Sequence, residues 1–462
     1  MKKLIILISL LLTCSFAACN FVMPTGNNSE STSVSSRESS SKKKNSSSKK
    51  ENSSSDDSDD SSIEDEKVIL YQEDDIVRED LMWDTETLFE AEFETKDEDK
   101  VYLDENIQTF KFKGAPYNGM DETWVFSAVG FPTGPKPKDG YPAILLLGGG
   151  GYIVNTNWIN YWTQQGYVVF TFDVWGWELD ENGKHVRNPE GGPENNDGSN
   201  YADVNKPEES WVYHVIYNSI MANNFLRSQK NVDKDRIVVT GNSWGGYATC
   251  VLSGVDKRFA AFAPLNGCGY LYTDSKWAKG TFGGTEQKKW IDLYDPSSYL
   301  PYATKPMLFV SGVDDEYFSA YNRTRSAALV KGKTFFSQRY SLKHANWTRT
   351  EETYAFFDHV LYQGEFSQLS SPKTGYSDER EDYITFEYED KAFEKVYFVY
   401  TESTAEDSHT WEWKRIEAEE VDGEYFVQMD PTSLRAYFFE TEGEFSQSTP
   451  ISITMNPNLQ YH

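Results

Sequence analysis

The stretch Ile237-Val238-Val239-Thr240-Gly241-Asn242-Ser243-Trp244-Gly245-Gly246-Tyr247 constrains this 462-residue chain more than any other. A β-branched apolar run ends in a G-x-S-x-G turn, and small residues then open a stretch that reads as a helix. That is the strand–turn–helix signature of a nucleophile elbow. A serine at the tip of so sharp a turn sits in a strained backbone conformation, and its neighbours must lack bulk so that strand and helix can approach. Ser243 is therefore the candidate nucleophile. It needs a base, an acid and two oxyanion donors from elsewhere in the chain.

The ends of the chain supply none of these. Met1-Lys2-Lys3 followed by the apolar run Leu4–Leu12 has the form of a signal peptide, too short to be a membrane span. It ends in Phe16-Ala17-Ala18-Cys19, which resembles a bacterial lipoprotein cleavage box. The resemblance implies a signal over residues 1–18, cleavage before Cys19 and lipid on its sulfur, with Cys14 as the weaker acceptor. Residues 27–62 are mostly Ser, Lys, Asp, Glu and Asn with almost no apolar residue, cannot bury surface and have a reach on the order of 35 Å, so a disordered tether is expected over 19–66. The expected location is the extracellular face of a bacterial cell membrane, held by the lipid anchor alone. A net charge of −29 argues against nucleic acid, whose phosphates need clustered Lys and Arg. Cys250 and Cys268 in the globular part fit either one disulfide or two buried thiols.

Residues 86–95, 108–113 and 122–131 alternate apolar and polar as half-buried strands do, and read as the antiparallel edge of a sheet. The pattern then changes. Pro142–Leu147 is a continuous apolar run, as in a strand buried on both faces, and it empties into Gly148-Gly149-Gly150-Gly151. Buried strands around 167–172, 237–240, 259–263, 307–310 and 335–342 alternate with helices around 157–165, 207–229, 319–330 and 350–361. This is an α/β class protein with a mostly parallel sheet covered on both faces, and with the elbow it has the order of the α/β-hydrolase fold.

That fold predicts the chain order Ser, then acid, then His, each just after a strand. Ser311-Gly312-Val313-Asp314-Asp315 follows a strand, and the fold's Gly-x-x-Asp pattern selects Asp315 over Asp314. Chain order excludes His185 and His214 as base. His359 falls inside a helix, and His409 and His462 come later. His344, in a loop between the last strand and the last helix, is the candidate base. The oxyanion donors are expected to be the Trp244 N–H and an N–H of Gly149 or Gly150.

The segments 148–152, 241–247, 266–270 and 312–318, with Asp233–Ile237 and Tyr354–Asp358, resemble bacterial acetyl xylan esterase/dienelactone hydrolase-type α/β-hydrolases. The resemblance covers roughly residues 114–364. It implies cleavage of carboxylic esters, often acetyl groups on plant polysaccharides or oligosaccharides, with no metal and no organic cofactor. One departure is Leu147, where His-Gly-Gly-Gly esterases carry a histidine. The catalytic domain is expected over 67–366. The long stretch 173–206, with Trp175, Trp177 and Tyr201, and the stretch 270–290 are candidate substrate walls, their aromatics either stacking on sugar rings or packing each loop against its own domain.

Short alternating strands after Ser370-Ser371-Pro372 suggest a small β-sandwich over 376–462, with Trp411, Trp413 and Tyr425 as its core or docking aromatics rather than a sugar platform. Two other functions compete. The first is a prolyl oligopeptidase-like serine peptidase, which Gly-x-Ser-Trp-Gly-Gly-Tyr also resembles. About 80 residues between tether and Gly148 are too few for that group's β-propeller. The second is a non-catalytic polysaccharide-binding lipoprotein, against which the complete triad argues.

Overall fold

The computed structural model describes residues 78–150, 154–194, 204–276, 287–344 and 351–454, all within one compact unit running from Glu66 to His462. Cys14, Cys19, the tether and Tyr201 lie outside the described residues. No helix of the described residues is long and apolar enough to cross a membrane.

The centre is a run of parallel strands: β4 (Tyr141–Leu147), β5 (Val168–Phe172), β8 (Val232–Asn242), β9 (Ala261–Leu265), β10 (Met307–Gly312) and β11 (Thr334–Arg339). The hairpin β6 (Trp177–Leu179) and β7 (His185–Arg187) stands apart from it. Every residue of β4, β5, β9 and β10 is buried, which is why these strands are written as unbroken apolar runs. Successive side chains leave on opposite faces. Leu145, Phe170, Val239 and Phe309 pack on one side with α3 (Trp211–Ser228) and α4 (Trp244–Ser253). Leu146, Val169, Val238 and Leu308 pack on the other, against Trp158, Ile159 and Trp162 of α2 (Thr156–Gln164) and Phe356 and Phe357 of α7 (Glu351–Tyr362). Between them fall α5 (Gln287–Tyr294) and α6 (Ala320–Ala327). Side-chain caps set the helix starts: Asn155 accepts from Trp158 N, Ser210 from Tyr213 N, and Ser319 from Asn322 N.

The antiparallel edge is formed by β1 (Thr95–Asp104), β2 (Ile107–Gly114) and β3 (Thr123–Gly130), with β3 joining β5. The strand expected over 86–95 is corrected. Thr85–Phe89 is instead a short helix, α1, because Asp84 caps it through Thr87 N and Glu86 adds an acidic first turn, so the chain becomes extended only at Thr95.

The C-terminal region is built from two facing layers. One is a four-stranded sheet of Lys373–Ser377, Glu381–Thr385, Glu424–Gln428 and Glu419–Val421. The other contains Lys395–Thr401 paired with Ala436–Glu442. Ile384, Val396, Phe398, Tyr425, Val427 and Phe439 fill the space between. Val421-Asp422-Gly423-Glu424 makes the expected tight hairpin, with φ of 53° at Asp422 and 84° at Gly423.

The second layer does not stand apart from the hydrolase. The two-residue strand Gln447–Ser448 pairs with β11 at Phe336 and with Ala436–Glu442. One 14-stranded sheet among the described residues therefore runs from β1 through the parallel core to Lys414–Glu417. Trp411 is buried against the same cluster as Val313 and Ala320 of the hydrolase, so it docks the C-terminal strands rather than offering a face to solvent.

Candidate active site

Strand β8 delivers Ser243 into the turn before α4 with φ 57° and ψ −117°, a conformation L-residues rarely adopt. The flanking glycines are required by contact. A Cβ on Gly241 would lie 2.5 Å from the Gly245 carbonyl oxygen, and one on Gly245 would lie 2.0 Å from that of Leu147. Ser243 N donates to Leu265 O at 2.9 Å, tying the elbow to the end of β9.

His344 follows β11 and brings its Nε2 to 2.9 Å from Ser243 Oγ. Its Nδ1 lies 2.9 Å from Asp315 Oδ2. A carboxylate can only accept there, so Nδ1 carries the proton and Nε2 is left to accept from the serine hydroxyl. Phe318 stacks on the imidazole at 5.9 Å and 6°, and Tyr317 lies against it at 4.8 Å.

Asp315 is 1% exposed. Its Oδ1 accepts from Tyr317 N at 2.9 Å and Phe318 N at 3.0 Å, while the Ser311 hydroxyl is 3.3 Å from Oδ2. Arg323 is buried nearby, held by Gln338 Oε1 and Gly312 O, and burial lowers its pKa against the opposing charge of Asp315. Asp314, by contrast, is exposed. The structure thus brings Ser243, His344 and Asp315 together in one hydrogen-bonded row.

Asn266, at φ 46° after β9, was not singled out from the sequence. Its amide donates to Asn242 Oδ1 at 2.9 Å and to His344 O at 3.3 Å, and its Oδ1 accepts from Ser311 Oγ at 2.8 Å. It joins the elbow, the acid strand and the histidine loop. Its signals were membership of the segment 266–270 and a polar side chain at the end of the strand next to the elbow.

Trp244 is the first residue of α4, where backbone N–H groups are not consumed by the helix's own ladder. Gly149 packs on the elbow so closely that a Cβ there would be 2.8 Å from Asn242 O and 3.1 Å from Ser243 Cβ. Gly149 therefore lies against Ser243, while a Cβ on Gly150 would lie 3.8 Å from Trp244 Cδ1. Trp175 is buried, and its indole N–H donates to Gly149 O at 2.9 Å. Its packing decides between the two expectations for it: the ring belongs to the protein interior.

His359 and His214 are held elsewhere. His359 Nδ1 bonds Gly364 O at the end of α7, and His214 is buried in α3 with its pKa pushed down to about 4 by burial. Cys250 and Cys268 are free and buried, and burial raises both thiols. Among the described residues no group of three or more His, Cys, Asp or Glu is placed to hold a metal.

Residues 63–270 match the family model of acetyl xylan esterase (AXE1), a range that includes the glycine loop and the elbow and ends before Asp315 and His344. No curated protein matches the sequence. Among solved structures, the chain is similar to the acetyl xylan esterase from Paenibacillus sp. R4, with 17% identity over 63% of this chain and 97% of that one and a TM-score of 0.48. Acetyl xylan esterase 1 from Thermoanaerobacterium sp. JW/SL YS485 gives 13% identity, 58% and 88% coverage and a TM-score of 0.44. The Pyrococcus horikoshii acylaminoacyl peptidase gives 15% identity, 56% and 42% coverage and a TM-score of 0.42. With this sheet and elbow the protein has the α/β-hydrolase fold, residues 63–270 resemble the acetyl xylan esterase family, and the protein is a carboxylic ester hydrolase.

Proposed function

We propose that the protein is a serine esterase that removes acetyl groups from carbohydrate, with Ser243 as nucleophile, His344 as general base and acid, and Asp315 as the group that orients the imidazole. The observation that carries this is the relay of two 2.9 Å contacts from Ser243 Oγ through His344 to Asp315 Oδ2. His344 takes the hydroxyl proton as Oγ attacks the ester carbonyl, and returns it to the departing sugar hydroxyl. Water then repeats the sequence on the acyl-enzyme, releasing acetate and the free serine. The Trp244 N–H and an N–H of the Gly149–Gly150 loop hold the negative oxygen of both tetrahedral intermediates.

The test is hydrolysis of 4-nitrophenyl acetate by the protein and by Ser243→Ala, then acetate release from acetylated xylan oligosaccharides beside a panel of aminoacyl-proline amides. Ester turnover is expected in the wild type and its abolition in a folded Ser243→Ala protein. Undiminished turnover by the variant contradicts the mechanism, and cleavage of the amides alone favours a peptidase. The Ser-Trp-Gly-Gly-Tyr sequence supports that second reading.

The leader supports export and attachment to the outer face of a bacterial membrane through lipid on Cys19. Palmitate labelling that survives Cys19→Ser contradicts this site and points to Cys14.

A further inference from the structure

We infer that the second oxyanion donor is the Gly150 N–H and that Trp175 is the positioning residue that aims it. The inference rests on the serine esterase reading above and concerns the groups that make its oxyanion site rigid.

The glycine loop faces two opposing demands. It must come close to the elbow, and at Gly149 the 2.8 Å from a would-be Cβ to Asn242 O leaves no room for a side chain. Yet a Gly–Gly peptide rotates at little cost, and a donor free to rotate loses most of its value in a transition state. Something outside the loop has to hold the peptide.

Trp175 is placed to do so. Its indole N–H donates to the Gly149 carbonyl at 2.9 Å. The bond is enforced from the tryptophan side, because the residue is only 6% exposed and an unpaired buried N–H costs about 1–3 kcal/mol. The carbonyl of Gly149 and the N–H of Gly150 belong to the same planar trans peptide and point in opposite directions. Fixing the carbonyl toward Trp175 turns the Gly150 N–H away from it. The Gly149 N–H belongs to the preceding peptide, which this bond does not hold. A Cβ on Gly150 would stand 3.8 Å from Trp244 Cδ1 and 3.9 Å from Trp175 Cζ2, so the peptide lies between the clamp and the residue that supplies the other donor.

The clamp is itself anchored. It sits in a turn at the end of β5, where Asp173 N donates to Phe126 O at 2.7 Å. Asp173 Oδ2 accepts from Trp175 N at 3.1 Å and from Trp177 N at 2.7 Å. The Val174 carbonyl accepts from the indole of Trp211. Trp211 in turn packs on Trp175 at 5.9 Å and on Trp244 at 5.7 Å. One aromatic block thus abuts both donors.

Trp175→Phe keeps a ring against Trp211 and removes only the N–H. With 4-nitrophenyl acetate, kcat is expected to fall roughly 10- to 100-fold, a partial loss of one oxyanion donor, with KM within about twofold. Affinity for phenylboronic acid, whose boron takes Ser243 Oγ as a fourth ligand and presents an anionic oxygen to the site, should fall by about the same factor. Unchanged kcat and boronate affinity in Trp175→Phe overturn the inference. So does a loss of kcat accompanied by a lowered melting temperature with boronate affinity intact, since that marks a packing role. Absence of ester hydrolysis by the wild type is a separate result: it overturns the esterase reading, and this inference with it.

Discussion

The side-chain amide of Asn266 holds the backbone carbonyl of His344 at 3.3 Å, although 78 positions separate the two residues. The same amide group bonds Asn242 beside the nucleophile and receives the hydroxyl of Ser311 beside the acid. A residue that touches no reacting atom thereby fixes the spacing of the three that do. Asn266→Ala removes the amide donor to Asn242 Oδ1 and His344 O and puts alanine at a left-handed φ. A loss of about 2–4 kcal/mol in unfolding free energy is expected, together with a fall in kcat. Urea denaturation and steady-state kinetics check both. A variant as stable and active as the parent would show that the junction is dispensable.

The two neighbouring aspartates should respond very differently. Asp315→Asn cannot favour the imidazole tautomer that leaves Nε2 free to accept, and kcat is expected to drop by roughly 10⁴. Asp314→Asn alters an exposed side chain and is expected to stay within about threefold. The ratio of the two kcat values is the measurement, and a reversed ratio moves the acid by one position.

Ser243 stores strain that its replacement can release. Ser243→Ala keeps the Cβ in the φ 57° conformation, while Ser243→Gly removes it. The glycine variant should be inactive yet more stable than the alanine variant by about 1 kcal/mol, the cost of one residue held in a sparsely populated region. Equal melting temperatures for the two would argue that the turn is relaxed.

The carboxyl of Asp173 is pushed up to about 7 by desolvation, against the N–H bonds of Trp177, Trp175 and Gly176 and the charge of Arg187. Its ordinary value is 3.8. The folded protein therefore holds a proton from about pH 4 to 7 that the unfolded chain has lost, so this group's contribution to stability falls as pH rises through that window. His214 faces the same small cavity from α3. Its value is lowered from 6.5 to about 4, so its contribution is lost as pH falls through that range and offsets the first slope there. Asp173→Asn keeps an acceptor for the two tryptophan N–H groups and removes the charge. Its melting temperature relative to wild type should climb between pH 4 and 7.5; a difference flat across that range would place the carboxyl near its ordinary value.

Much of this was legible because local chemistry demanded it. The elbow is readable at Gly241 and Gly245, where backbone passes backbone too closely for any other residue. Asp315 and His344 are readable because the fold places each after a buried strand, and buried strands announce themselves as apolar runs. The short helix α1 was hidden by an alternating pattern that Asp84 overrides from one position upstream. The roles of Asn266 and of the Trp175 indole were not legible, since both are hydrogen bonds across distant positions made by residue types common in loops. The fusion of the C-terminal strands to the hydrolase sheet rests on two residues, Gln447 and Ser448, too few to form a pattern.

That fusion has a consequence for how the protein behaves in a crowd. A hydrolase sheet ending at β11 would offer a bare row of backbone groups to any passing strand, and Gln447–Ser448 occupies the middle of that row at Phe336. The sheet's outermost strands are then Thr95–Asp104, which carries Lys96 and Asp104, and Lys414–Glu417, which carries three charged residues. Charged edges discourage further strands from joining, so a very wide sheet is terminated at both ends by its own sequence. The C-terminal strands thus act as a guard against edge-to-edge polymerisation, whatever else they do.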